Sequence, residues 1–429
     1  MKQFSREEKA WIMYDWANSA FATIMLAAVF PVFFTGIAGG EGTLGSMWWG
    51  WGNSISRFIL GLSAPVIGAL LAYKGYKKRF FIGFMAFGIL ALLFLSAQSS
   101  WQMLLIGYIL ANMCWAAGNL VYDAYLPDVT TKDRMDKVST WGFAMGYIGG
   151  STIPFIISIV LILFGSNFGI DMTTAVRISI VLTAIWWGVF SIQFVKDVHH
   201  KFPIEKPKQS IGEFLNEVFG RIFATAKKIT KNRGLFMFIV AYFFYIDGVG
   251  TVIIMATAYG AELGLGDVGL IGALFVTQIV AMPCSILFGK LSEKYNNISI
   301  IIVAIVIYIG ICLTGFWMGF GLETGIHGYG FATVLFWVLA FLVGTVQGGI
   351  QAISRSTFGK LVPAEESGEY FGFYEIFGRF AAILGPFLYA TVLSITGRPS
   401  FSILSIIFIF AIGLIILLIN RKHIHISRS

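Results

Sequence analysis

The sequence predicts an all-α membrane protein with twelve transmembrane helices in two pseudo-symmetric six-helix bundles. Three observations carry this. Only 12% of the 429 residues are charged and 57% are hydrophobic, whereas a soluble domain carries about 25% charged residues. Twelve apolar runs each approach the roughly 20 residues that cross a hydrocarbon core. Finally, prolines, glycines and an aspartate recur at a near-constant offset in the two halves.

The runs lie near 11–37, 47–73, 80–97, 102–126, 138–165, 173–195, 235–259, 267–289, 298–320, 329–355, 369–395 and 400–420. The first follows MKQFSREEKAW. It is too long for a secretory leader and has no small-residue cleavage site, so it is expected to be a retained span. Of the 30 Lys and Arg, 26 fall at the N-terminus, the even-numbered connections and the C-terminus, and only Arg398 lies in a connection on the other side. The positive-inside rule then places both termini in the cytoplasm. The net charge of +8 is spread over these short connections, which excludes a nucleic-acid surface. Cys114, Cys284 and Cys312 all sit in apolar runs, without disulfide or zinc spacing.

Residues 1–195 form the first expected bundle, 196–234 a linker and 235–429 the second bundle. In the linker, Ile211, Phe214, Leu215, Val218, Phe219, Ile222 and Phe223 recur at helical spacing. Ser210 and Glu213 suit a capping box. Two placements stay open: on the cytoplasmic leaflet, with Lys227, Lys228, Lys231 and Arg233 near lipid phosphates, or packed beneath the bundles. Pro65 and Gly68 match Pro283 and Gly289, Pro127 matches Pro363, Pro154 matches Pro386, and Asp15 matches Asp247. Parallel six-span repeats build transporters whose site lies between the halves near mid-membrane.

An ionisable group inside a span costs roughly 2.5–3.5 kcal/mol and marks a functional candidate. Asp15, Arg57, Asp123, Arg177, Asp247, Glu375 and Arg379 qualify. Arg177 sits at the outer edge, where snorkelling suffices. Arg57, Asp247 and Arg379 fall near mid-depth by helix rise. With Asn112, Asn119, Tyr122, Tyr242, Tyr245, Gln347 and Gln351 they form a candidate substrate site. Both charge signs suit a zwitterion, an amino acid or small peptide. The alternative is internal pairing, of Glu375 with Arg379 along one helix and of Arg57 with Asp247. Asp15, Asn18, Asp123, Ser354, Arg355 and Glu375 form a second layer nearer the cytoplasm. A gate by ion pairing, a helix-end carboxylate favoured by the dipole, and direct proton or substrate binding are the three readings of Asp15. Asp247 and Asp123 are the candidates for proton coupling, because buried carboxylates can titrate near neutrality.

Two turns resemble the GxLxDRxGR(R/K) loop of the major facilitator superfamily. GKLSEKYNN carries Gly289, Glu293 and Lys294. GALLAYKGYKKR carries Gly68, Gly75 and Lys77, with Ala72 where the acid belongs. More specific stretches, YDWANSAFATIMLAAVFP, YDAYLPD, GFAMGYIGG, YIDGVGTVI, GGIQAISRS and FGFYEIFG…GP, resemble the bacterial permeases related to the fungal autophagy-associated vacuolar amino-acid effluxers. The resemblance covers nearly the whole chain. It implies the major facilitator fold, latch loops, and a cavity lined by spans 1, 4, 7 and 10; an aspartate of the first half facing Arg355 of the second would close the inner gate by an ion pair. It also implies a bacterial inner-membrane permease working by alternating access. The expected partners are a small solute, the bilayer and, if coupled, protons. A monomer is expected, with no cofactor, metal or nucleic acid. Uptake or efflux of another metabolite or drug-like compound is the alternative. A channel or a membrane enzyme is disfavoured, since no HExxH-type cluster occurs. GLGDVG (264–269) lies in a connection with no βαβ unit and is not a dinucleotide site. His423 and His425 sit on a basic tail.

Overall fold

A computed structural model describes residues 3–39, 44–205, 210–265 and 267–424. His425 and part of the GLGDVG stretch fall outside these. Twelve described helices are long and apolar enough to cross a membrane: Arg6–Ala38, Met47–Leu71, Tyr76–Ser96, Trp101–Ala124, Met135–Phe168, Met172–Asp197, Arg233–Ala256, Gly272–Lys294, Asn297–Glu323, Tyr329–Leu361, Ala364–Thr396 and Pro399–Asn420. They coincide with the predicted runs and are called spans 1–12. A further helix, Ile211–Lys231, lies in the linker.

Local chemistry sets the helix starts. Ser5 and Glu8 form a reciprocal capping box at span 1. Glu8 also takes two guanidinium bonds from Arg134. Asp171 and Asn296 accept backbone N–H groups at the heads of spans 6 and 9. Gly75 adopts φ 79° just before span 3, a left-handed turn that glycine reaches without strain. The capping box expected in the linker is present: Ser210 N–H donates to Glu213 at 2.9 Å, and Glu213 N–H returns to Ser210 Oγ at 3.3 Å.

Periodicity did not announce two π-helical segments, Ala22–Ala28 in span 1 and Gly146–Thr152 in span 5. Such widened turns are frequent at functional sites. The glycines of GFAMGYIGG have a packing role beside them. A Cβ on Gly149 would stand 1.9 Å from Trp16 Cδ2, and one on Gly150 2.7 Å from the Trp16 carbonyl. Only glycine lets span 5 lie this close to span 1.

The helices group into two compact units. One comprises Met1–Val138, Met145–Thr225 and Val362–Ile376; the other Ser139–Ala144, Ala226–Leu361 and Phe377–Ser429. The first residues of span 11 thus belong with the first unit, and a short piece of span 5 with the second.

Of the two linker placements, packing against protein is observed for one face. Val218 is buried with Ala69 and Tyr73, and Phe214 and Ile222 pack alongside. The preceding segment docks through its backbone. Ile204 N–H donates to the Ala72 carbonyl at 2.9 Å, and the Ile204 carbonyl accepts from Lys74 N–H at 2.9 Å. Lys201 N–H donates to Asp128 Oδ1 at 2.8 Å. Burial, then the nearby Lys77 charge, lower the His200 pKa from 6.5 to about 4.

His200 therefore stays neutral when docked but takes a proton below about pH 6.5 when released. Docking of residues 198–204 is full above pH 6.5 and weakens as pH falls toward 4; faster hydrogen exchange of this segment at pH 5 than at pH 7, after correction for intrinsic rates, is the expected result, abolished by His200→Gln. Gly149→Ala should destabilise by about 1–3 kcal/mol through overpacking, read as a lower unfolding temperature in detergent. Gly83→Ala, where a Cβ meets nothing within 4 Å, should be neutral or stabilising.

Candidate functional site

Spans 1 and 4 of the first unit meet along a polar seam. Tyr122 O–H donates to Asp15 Oδ2 at 2.8 Å, and Asn18 Nδ2 donates to Asn119 Oδ1 at 2.9 Å. Each pair sits one turn from the other, as antiparallel helices in fixed register require. Indoles close the seam: Trp11 Nε1 donates to the Tyr122 carbonyl and Trp115 Nε1 to the Asn18 carbonyl. Trp11 also stacks on Tyr122 with centroids 4.3 Å apart. Residues assigned from sequence to two layers, Asp15 and Asn18 to the gate and Asn119 and Tyr122 to the substrate site, thus form two adjacent hydrogen-bonded pairs. Asn112 is buried on the same span 4, while Asp123 and, on span 2, Arg57 are half-buried. Arg57 lies one turn beyond Asn53, which accepts from Tyr108 at 2.7 Å. Arg177 does more than snorkel: it donates to the Gln98 carbonyl and Ser99 hydroxyl, at 2.9 and 3.0 Å.

The start of span 11 is gripped within the same unit. Gly68 packs so close that a Cβ would stand 2.5 Å from the Gly368 carbonyl. Lys77 Nζ is buried and donates to Asp128 Oδ2 at 2.6 Å, the Ala124 carbonyl at 2.9 Å and Ser367 Oγ at 3.0 Å. All three ammonium protons are therefore satisfied, which a buried charge requires. The latch position that lacks an acid, Ala72, contributes only its carbonyl, to the linker. The grip comes from Lys77 and Asp128. Glu375 is half-buried further along span 11.

The second unit repeats the device. Ser139, at the start of span 5, accepts from Arg355 Nε through its hydroxyl at 2.9 Å and from Arg355 Nη2 through its carbonyl at 3.1 Å. The guanidinium lies 4.6 Å from the Phe143 ring centroid. Gly289 faces Thr140, whose Oγ1 would be 2.3 Å from a Cβ there. Glu293 and Lys294 are exposed.

Deeper in that unit, Asp247 is 1% exposed on span 7. Thr251 lies one turn on, and a Cβ on Gly385 of span 11 would stand 1.9 Å from Thr251 Oγ1 and 3.1 Å from Asp247 Oδ1. Tyr245 and Ser354 hydroxyls share a 2.7 Å bond, Tyr242 meets Tyr245 edge-on, and Gln351 Nε2 donates to the Gln347 carbonyl. Arg379 is half-buried. Beside them opens an apolar cavity of about 80 Å³, lined by Val252, Tyr259, Thr277, Gln278, Phe336 and Gln347 among others. Gln347 is 2% exposed. Its Nε2 and the Gln278 Oε1 are buried without hydrogen-bond partners among the described residues, while Tyr259 and Thr277 donate to backbone carbonyls. The cavity thus offers one spare donor and one spare acceptor on apolar walls. Gln278 and Thr251 were missed by a search for charges, although a glutamine in ALFVTQIVAM was itself a polar signal. Among the described residues no group of three His, Cys, Asp or Glu could hold a metal ion.

Removing one partner of a buried ion pair costs about 3–5 kcal/mol, since the other charge is stranded. Lys77→Met should therefore lower the unfolding temperature sharply, and Lys77→Met with Asp128→Leu should recover much of the loss.

The sequence profile of the family described as "Vacuole effluxer Atg22 like" matches residues 50–424. An uncharacterized MFS-type transporter, YxiO, of Bacillus subtilis is 43% identical over 424 residues, covering 97% of this chain and 95% of its own length. Autophagy-related protein 22 of Pichia angusta is 25% identical over 306 residues, 64% of this chain and 54% of that protein, so the chain spans about half of this fungal relative. Two solved structures share the fold: the human organic anion transporter MFSD10 (TM-score 0.69, 12% identity, 96% of this chain and 99% of that one) and the proton:xylose symporter XylE (TM-score 0.68, 10% identity, 98% and 94%). These relatives and neighbours are transporters rather than enzymes. On sequence and fold together, the chain belongs to the Atg22-like effluxer family within the major facilitator superfamily of transporters.

Proposed function

We propose that this secondary transporter moves a small zwitterionic solute, an amino acid or small peptide, by alternating access with proton coupling. The observation that carries the reading is Asp247. It is buried on span 7, 14 residues after Arg233 and 9 before Ala256, the two ends of the span, and so within the span's middle third. A carboxylate there costs several kcal/mol unless it serves a cation or a proton. Arg57 and Arg379 supply the opposite sign for a substrate carboxylate, and Gln347, Gln351, Asn112, Asn119, Tyr122 and Tyr245 supply neutral contacts. Asp15, Asn18, Asp123, Arg355 and Glu375 are the gating and proton-handling groups. Latching falls to Gly68, Gly75, Lys77 and Gly289, with Glu293 and Lys294 in the last turn of span 8. The protein acts as a monomer in a bacterial inner membrane, with both termini cytoplasmic. The apolar cavity beside Gln347 favours a second reading, in which the cargo is a mainly apolar, drug-like compound held by uncharged hydrogen bonds.

Flux into proteoliposomes separates the two. The expected result is uptake of a zwitterion in preference to its decarboxylated amine and its deaminated acid, accelerated by a proton gradient. Asp247→Asn should reduce it by at least about tenfold, ~1.4 kcal/mol. Equal flux of amine and acid, or unchanged flux in Asp247→Asn, would overturn the zwitterion assignment.

A further inference from the structure

We propose that the linker helix Ile211–Lys231 is seated on an anionic lipid surface and, so seated, clamps the start of span 11 through Glu369. The helix has three different faces. The first is docked: Phe214, Val218 and Ile222 pack on Ala69, Tyr73 and Tyr76, and Tyr73 O–H donates to Glu217 Oε1 at 2.7 Å. Burial, then the Glu217 carboxylate, push the Tyr73 pKa up to about 12, so this hydroxyl remains a donor.

The second face holds Glu369. Arg221 Nε donates to Glu369 Oε1 at 2.8 Å, a second guanidinium N–H reaches the same oxygen, and Thr225 O–H donates to Oε2. Glu369 is 4% exposed, so its charge is held almost wholly by this helix. The Tyr73 ring, 5.7 Å from the Arg221 guanidinium, fixes the arginine's approach. Glu369 stands beside Gly368 and Ser367, the residues gripped by Gly68 and Lys77. The helix therefore adds a second, independent hold on the same turn of span 11.

The third face is left largely uncovered by the described residues. Leu215, Phe219 and Phe223 recur every four residues and are 49%, 50% and 73% exposed. Facing water, such a stripe is unfavourable by about 25 cal/mol per Å². Two features identify its occupant. The helix ends at Lys231, with only Asn232 between it and the opening of span 7 at Arg233, so its end lies at the bilayer boundary. Its C-terminal end carries Lys227 and Lys231, both exposed and continuing the four-residue recurrence of that stripe, each worth about 1 kcal/mol beside an anionic leaflet. Apolar side chains and cations at that level suit lipid acyl chains and acidic headgroups.

Hydrogen exchange in nanodiscs tests this without reading transport, so the outcome is independent of the cargo. Phosphatidylcholine discs are compared with discs that also contain phosphatidylglycerol. Residues 211–225 and 367–376 should exchange several-fold more slowly with the anionic lipid, and Phe219→Leu/Phe223→Leu should preserve that response. Phe219→Ser/Phe223→Ser should abolish it in both segments. Arg221→Gln should abolish it in 367–376 alone. Equal exchange in the two lipids, a response that survives the serine variant, or one that reaches 367–376 without Arg221 would each overturn the proposal.

Discussion

Lys77 and Asp128 state the constraint on which this protein depends: a charge taken out of water must find its partners inside the chain. The ammonium has three protons, and the fold provides three oxygens, from Asp128, Ala124 and Ser367. Satisfying that one group fixes the head of span 3, the end of span 4 and the start of span 11 together. The same necessity confines the backbone to helices, since a bilayer core offers no other donors or acceptors.

A similar device occurs in each unit. In each unit a serine opens a long span, a cation bonds it, and a glycine on another helix leaves it room. In the first unit these are Ser367, Lys77 and Gly68; in the second, Ser139, Arg355 and Gly289. The cations are not equivalent. Lys77 acts as a compact charge inside a cage of oxygens, whereas Arg355 uses its planar fork and stacks on Phe143.

These grips are polar and local, each made by a few hydrogen bonds. A packed apolar face offers no such discreteness, because its energy is spread over many weak contacts. The linker is tied to the same region. Its first residues bond to Asp128 and to the Ala72–Lys74 turn, and its helix carries Arg221 to Glu369. The connection that joins the repeats is therefore also a structural part of the grip on span 11.

The sequence by itself determined the twelve spans, the repeat, the linker capping box and the family resemblance, because hydropathy, charge bias and glycine or proline placement act locally along the chain. It also marked Asp15, Asn18, Asn119, Tyr122 and Asp247 as costly or polar groups within apolar runs. Only the tertiary structure decided their partners: that Asp15 meets Tyr122, that Lys77 reaches Ser367 some 290 residues away, that Gln278 joins Gln347 at one cavity, and that two turns wind as π-helix. Such pairings depend on helix rotation and register, which are set by side-chain packing among distant segments and leave no periodic trace in the chain.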